Sequence, residues 1–142
     1  MTEVKDTDWI EKQHHAQELL GLARERKWSY LCEAIQHCVD SYNRLYGASV
    51  GAVATCSEEG DVTWQSTKTT QRRTVVLEFK PDTGVEAVYN KHIKGAKTDK
   101  KLLILVLFED APVWRLGEKI FSNEDEASQA ILKQVLFPDA PT

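Results

Sequence analysis

At Gly47 the hydrophobic period of this chain changes, and that change constrains the fold more than any other feature. Before it, Leu31, Ala34, Ile35, Cys38, Val39, Tyr42, Leu45 and Tyr46 recur at intervals of three and four, the spacing that gathers side chains on one helical face. After it, Val75, Leu77 and Phe79 alternate with Val76 and Glu78, the period of a half-buried strand. Helices first and strands after, with no regular alternation of the two, point to an α+β domain rather than a parallel βαβ fold.

The spacing predicts two N-terminal helices. Asp8 followed by Glu11 has the pattern of a capping box, and Ile10, Ala16, Leu19, Leu20 and Ala23 make an apolar stripe over Asp8–Arg24. The charged run Arg24–Lys27 is expected to end this helix, Ser29 to cap a second over Ser29–Tyr46, and Gly47 to stop it. A single helix from Asp8 to Tyr46 would extend about 58 Å, too long for a domain of this size. An αα-hairpin is therefore expected.

Strands follow at Val50–Cys56 and Val62–Thr69. A hairpin turns at Pro81-Asp82-Thr83-Gly84, where Gly84 would supply a positive φ. The run Leu102–Phe108 is apolar on both faces and reads as the central strand, with Val113–Leu116 pairing back on it. Ser122-Asn123-Glu124-Asp125 caps a last helix over Asn123–Leu136, with Ala127, Ala130, Ile131 and Val135 on its buried side. The expected architecture is α+β: an N-terminal αα-hairpin, an antiparallel meander sheet of four to six strands, and a C-terminal helix packed on the sheet. It forms one domain over 1–142, with residues 1–6 a flexible lead. Leu31, Ile35, Val39, Leu77, Ile104, Val106 and Ile131 are the expected core.

The apolar run of seven residues is far short of the ~20 that a membrane-spanning helix needs. The first thirty residues hold no apolar core of a secretory leader. Cys32, Cys38 and Cys56 are odd in number and form no C-x-x-C pair, so reduced thiols and a cytoplasmic location are expected.

The chain carries 18 basic and 22 acidic residues, a net charge of −4, which disfavours a general polyanion binder. The charge is uneven, however. Lys68, Arg72, Arg73, Lys80, Lys91, Lys94, Lys97, Lys100 and Lys101 stand against Glu78, Asp82, Glu86 and Asp99, a local excess of +5. A strip of this kind could follow a phosphate backbone, with Trp64, set among polar neighbours, exposed to stack a base. The candidate polyanion-binding residues are Arg72, Arg73, Lys91, Lys94, Lys97, Lys100, Lys101 and Trp64. A solvated loop whose lysines keep a strand from pairing with other molecules explains the same residues without a ligand.

Catalytic and metal signals are weak. His14-His15 and His37-Cys38 are sequence neighbours, and Cys32 to Cys38 does not align on one helical face, so no zinc set forms and no metal or cofactor is expected. No Gly-x-Ser-x-Gly elbow occurs, and Gly95-Ala96-Lys97-Thr98 lacks the glycine and order of a P-loop. Cys56 precedes an acidic turn, which raises rather than lowers a thiol pKa. The leading expectation is a non-enzymatic protein-binding or adaptor module, with a protein partner or self-association as a homodimer. Single-strand nucleic-acid binding through 68–101 comes second. A small enzyme assembled from distant residues such as His92, Glu78 or Cys56 comes third.

Overall fold

The computed structural model describes residues 2–138, with side chains described from Asp8 onward. The lead expected over 1–6 has no described side chains. The elements run α1 (Thr2–Tyr42), a π-helical turn (Asn43–Gly47), a single turn α2 (Ala48–Val50), then β1 (Ala52–Cys56), β2 (Val62–Ser66), β3 (Arg72–Lys80), β4 (Gly84–Tyr89), β5 (Asp99–Phe108), β6 (Ala111–Leu116), β7 (Lys119–Phe121) and α3 (Glu124–Leu136). The class is α+β, with a C-terminal helix packed on an antiparallel sheet.

The expected αα-hairpin is instead one helix. Arg, Glu and Lys are good helix formers, and the run Arg24–Lys27 ties α1 to the body rather than ending it. Arg24 Nη1 donates to the Pro81 carbonyl at 3.2 Å, and Lys27 Nζ donates to Glu124 Oε2 at 3.0 Å. Ser29 is exposed in mid-helix, and Asp8 is interior, its carboxylate paired with Lys12 at 3.2 Å instead of capping. At 41 residues α1 extends about 62 Å. The size argument against such a helix fails because its stretch from Asp8 to Leu19 stands clear of the body. From Asp8 to Leu19 every side chain is exposed except half-buried Ala16, and burial begins at Leu20.

Nor does Gly47 stop the helix. It is right-handed in the π turn, and a Cβ there would stand 3.0 Å from the Ala52 carbonyl oxygen. The helical stretch ends at Gly51, whose φ of +68° is the left-handed conformation that terminates a helix. The π turn also places Asn43 against the first strand. Its Nδ2 donates to the Ala54 carbonyl at 2.7 Å, and its Oδ1 accepts from the Ala54 amide at 2.9 Å. A side chain thus occupies hydrogen-bonding groups on an edge strand, where an unpaired backbone invites association.

The sheet is a simple meander, β1-β2-β3-β4-β5-β6-β7, all antiparallel. It has one strand more than the expected upper bound of six, because the three residues of β7 are too few to show a period. The turn at Pro81-Asp82-Thr83 lies where expected, but Gly84 does not supply a positive φ. It opens β4, where a Cβ would run into the Leu103 carbonyl oxygen. Glycine is required there by the close approach of β5.

Both helices cover the same face of the sheet. α1 packs on β1, β4 and β5, α3 on β2, β3 and β7, and the two helices pack on each other. Between them and the sheet lie Leu31, Ile35, Val39, Leu77, Trp114, Phe121 and Ile131. Leu31, Ile35, Val39, Leu77 and Ile131 are buried as expected, whereas Ile104 and Val106 are only half-buried and Leu103 and Leu105 take their place. The run Leu102–Phe108 offers no alternation to mark its inner side. Pairing decides it, because Leu103 stands opposite Val85 and Leu105 opposite Trp114 on the helix-covered face.

Candidate functional site

Antiparallel order brings the start of β3, the end of β4 and the start of β5 to one end of the sheet, so the basic strip does gather there. Lys91, Lys94 and Lys97 are exposed in the β4–β5 connection, and Arg72 and Lys100 are exposed on the side away from the helices. Arg73 and Lys101 point the other way and hold α3. Arg73 Nε donates to the Val135 carbonyl at 2.7 Å, and Lys101 Nζ donates to the Ala130 carbonyl at 3.4 Å. Cations suit the carbonyl-rich C-terminal half of a helix. Burial lowers the Lys101 pKa, with Asp99 acting in the opposite direction.

Trp64 is not the exposed ring expected. It is 8% exposed, its Nε1 donates to the Tyr42 hydroxyl at 3.0 Å, and the Arg73 guanidinium lies 3.6 Å from its ring centroid. Its apparent polar setting in sequence came from Thr63 and Gln65, which face the other side of β2. One face and its donor are engaged within the fold and the ring is buried, so no nucleobase has a place on it.

His92, Glu78 and Cys56 are not brought together. His92 follows β4 at the basic end, Cys56 ends β1 at the opposite end, and Glu78 faces away from the helices. Burial, then Asp40 and Asp61, pushes the Cys56 thiol up, and burial, then Cys56, Asp61 and Glu59, pushes Cys32 up to about 11. Both shifts disfavour the thiolate that a nucleophile needs. Among the described residues no group of three or more His, Cys, Asp or Glu could hold a metal ion, and no helix is long and apolar enough to cross a membrane.

The face of the sheet turned away from the helices is the more telling surface. Strand alternation puts Val76, Val88, Leu102, Ile104, Val106, Phe108, Val113 and Ile120 on it. Leu102, Phe108 and Ile120 are exposed, and Val76, Ile104, Val106 and Val113 half-exposed. Val88 is buried among them, and the helices α1 and α3 pack on the opposite side of the sheet. An open antiparallel sheet normally turns polar residues to water, so a contiguous apolar stripe over β4–β7 departs from the ordinary pattern. Charges border it unevenly. Glu78 and Glu86 stand directly opposite on β3 and β4, a like-charge arrangement that costs stability, with Lys80 Nζ 3.5 Å from Glu78. Across the stripe on β6, Arg115 lies opposite Ile104 and Ile120, its Nε buried with no hydrogen-bond partner.

A second apolar feature is a groove of about 520 Å³ between α1 and α3. Tyr42, Tyr46 and Phe137 form its aromatic wall, with ring centroids 5.3–6.2 Å apart, and Leu45, Leu132 and Leu136 complete the apolar lining. Neither surface could be found from the sequence. The first depends on which side of β5 is inner, and the second on α1 continuing through Gly47 as a π turn that sets Leu45 and Tyr46 beside α3. The chain matches no protein-family model, and no curated protein or solved structure matches it.

Proposed function

We propose that this protein is a non-enzymatic protein-binding module whose working surface is the open face of its sheet. The observation that carries the reading is the partly exposed apolar stripe from Val76 to Ile120 on the side of the sheet away from the helices, too continuous to be scattered surface hydrophobes. The partner that suits it is a protein segment with one apolar face, bordered by a basic side chain. The apolar face would cover Leu102, Ile104 and Phe108, and the base would relieve the Glu78–Glu86 repulsion. Such segments commonly dock an amphipathic helix into a hydrophobic surface through anchors three and four residues apart.

Selection from a library of random displayed peptides tests this directly. The expected result is enrichment of peptides with apolar anchors at helical spacing and a flanking Lys or Arg. Their binding should be lost in Leu102→Gln and Phe108→Glu, two exposed positions; the first is made Gln because Leu102 stands opposite Glu86. If the enriched ligands are unaffected by both changes, the surface is wrongly assigned. The exposed cations Arg72, Lys91, Lys94, Lys97 and Lys100 define the competing outcome. Steeply salt-dependent binding of single-stranded oligonucleotides, with a log–log slope near −0.7 per phosphate contacted and flattened by Gln at the lysines, would replace the protein-binding reading with a polyanion-binding one.

A further inference from the structure

Trp9 and Ile10 are about 60% exposed on the part of α1 that stands clear of the body, and among the described residues nothing covers them. A helix with no packed face is marginal in water, since most helical stability in proteins comes from burying one. At the other end of the same helix lies the groove walled by Tyr42, Leu45, Tyr46, Leu132, Leu136 and Phe137. It is large enough for an indole ring, and aromatic anchors filling aromatic pockets dominate interface energetics. Trp9 cannot reach the groove of its own chain, because 32 residues of continuous helix from Trp9 to Ser41 separate them by about 48 Å.

We infer that the protein forms a two-fold dimer in which α1 helices lie antiparallel and Trp9 of each copy enters the α1–α3 groove of the other. A two-fold axis crossing α1 near Glu25 makes both contacts at once, so the interface closes and does not propagate into a filament. Charge agrees with this placement. Asp8 is paired with Lys12, which leaves Glu11 as the net negative charge beside the Trp9-Ile10 pair, while Lys133 lines the groove and no carboxylate does. This contact uses a different surface from the open sheet face, so the two readings can fail separately.

Sedimentation velocity on the full chain over a range of concentrations tests the inference. The expected result is a concentration-dependent dimer, accompanied by a blue shift of tryptophan emission, because Trp28, Trp64 and Trp114 are already half-buried or buried. Trp9→Glu and Leu45→Glu should each weaken the dimer by at least about tenfold while keeping a cooperative unfolding transition, both positions being exposed in the monomer. Mixing the two variants should restore part of the association, because the intact groove of one accepts the intact Trp9 of the other. A wild-type protein that stays monomeric at its highest soluble concentration overturns the inference. So does a dimer that survives Trp9→Glu, or a mixture that gains nothing. Phe108→Glu should leave the dimer unchanged. If it dissociates the dimer instead, the copies meet through their sheets and not through the groove.

Discussion

Asn43 shows how much one side chain in an unusual turn can do. Its two hydrogen bonds to Ala54 join the end of the long helix to the edge strand, and both lie in a partly buried setting. Removing the amide leaves a backbone donor and acceptor without partners, so Asn43→Ala should cost about 1–3 kcal/mol. Denaturant unfolding would measure it, and a loss below about 0.5 kcal/mol would mean that water replaces the latch at no cost. The cysteines give a pH dependence with a definite sign. In the fold Cys32 is held up to about 11 from an ordinary 9.0, and Cys56 is also raised. A raised folded pKa contributes stability that is complete below the unfolded value and is lost as pH rises through the folded one. Stability should therefore fall between about pH 9 and 11, and Cys32→Ala should flatten that fall. Lys101, whose pKa is lowered, contributes in the opposite direction, while Tyr89, raised by burial and then Asp99, adds to the fall above about pH 10.

Among the elements, β5 is where sequence and structure part company most usefully. Leu103 and Leu105 are almost fully buried and Ile104 is not. Leu105→Ala should cost about 2–5 kcal/mol, and Ile104→Ala under about 1.5, the difference reflecting which side of the strand meets the helices. Equal costs would contradict the register. The presence and type of β1 to β6 and α3 were legible because each carries a period or, for β5, a short apolar run, with a turn signal at its end. The inner side of β5 was not, because every residue from Leu102 to Phe108 is apolar and a one-residue slip exchanges the faces without changing the pattern. The continuity of α1 was hidden for a different reason. Its middle carries Arg24 to Lys27, whose charges look like surface loop until Pro81 and Glu124, distant in sequence, supply their partners.

At the scale of the molecule, the meander sorts charge by end. Glu58, Glu59, Asp61, Asp82, Glu109, Asp110 and the first turn of α3 lie at one end of the sheet, and Lys68, Arg72, Lys91, Lys94, Lys97 and Lys100 lie at the other. The basic strip was visible in sequence, and its spatial gathering follows from antiparallel order alone. What sequence could not supply was its division into exposed cations and two that serve α3, or the burial of Trp64. The apolar outer face was equally hidden, since the same valines and isoleucines would read as core on either side. The heat-capacity change on binding a selected peptide tests the role of that face most directly, since burial of apolar surface makes it negative. A clearly negative value for the wild-type protein, approaching zero along with lost affinity in Leu102→Gln, is the predicted result. A value near zero in the wild type, with affinity governed by salt and by the lysines of the β4–β5 connection, would contradict the assignment of the open sheet face as the binding surface.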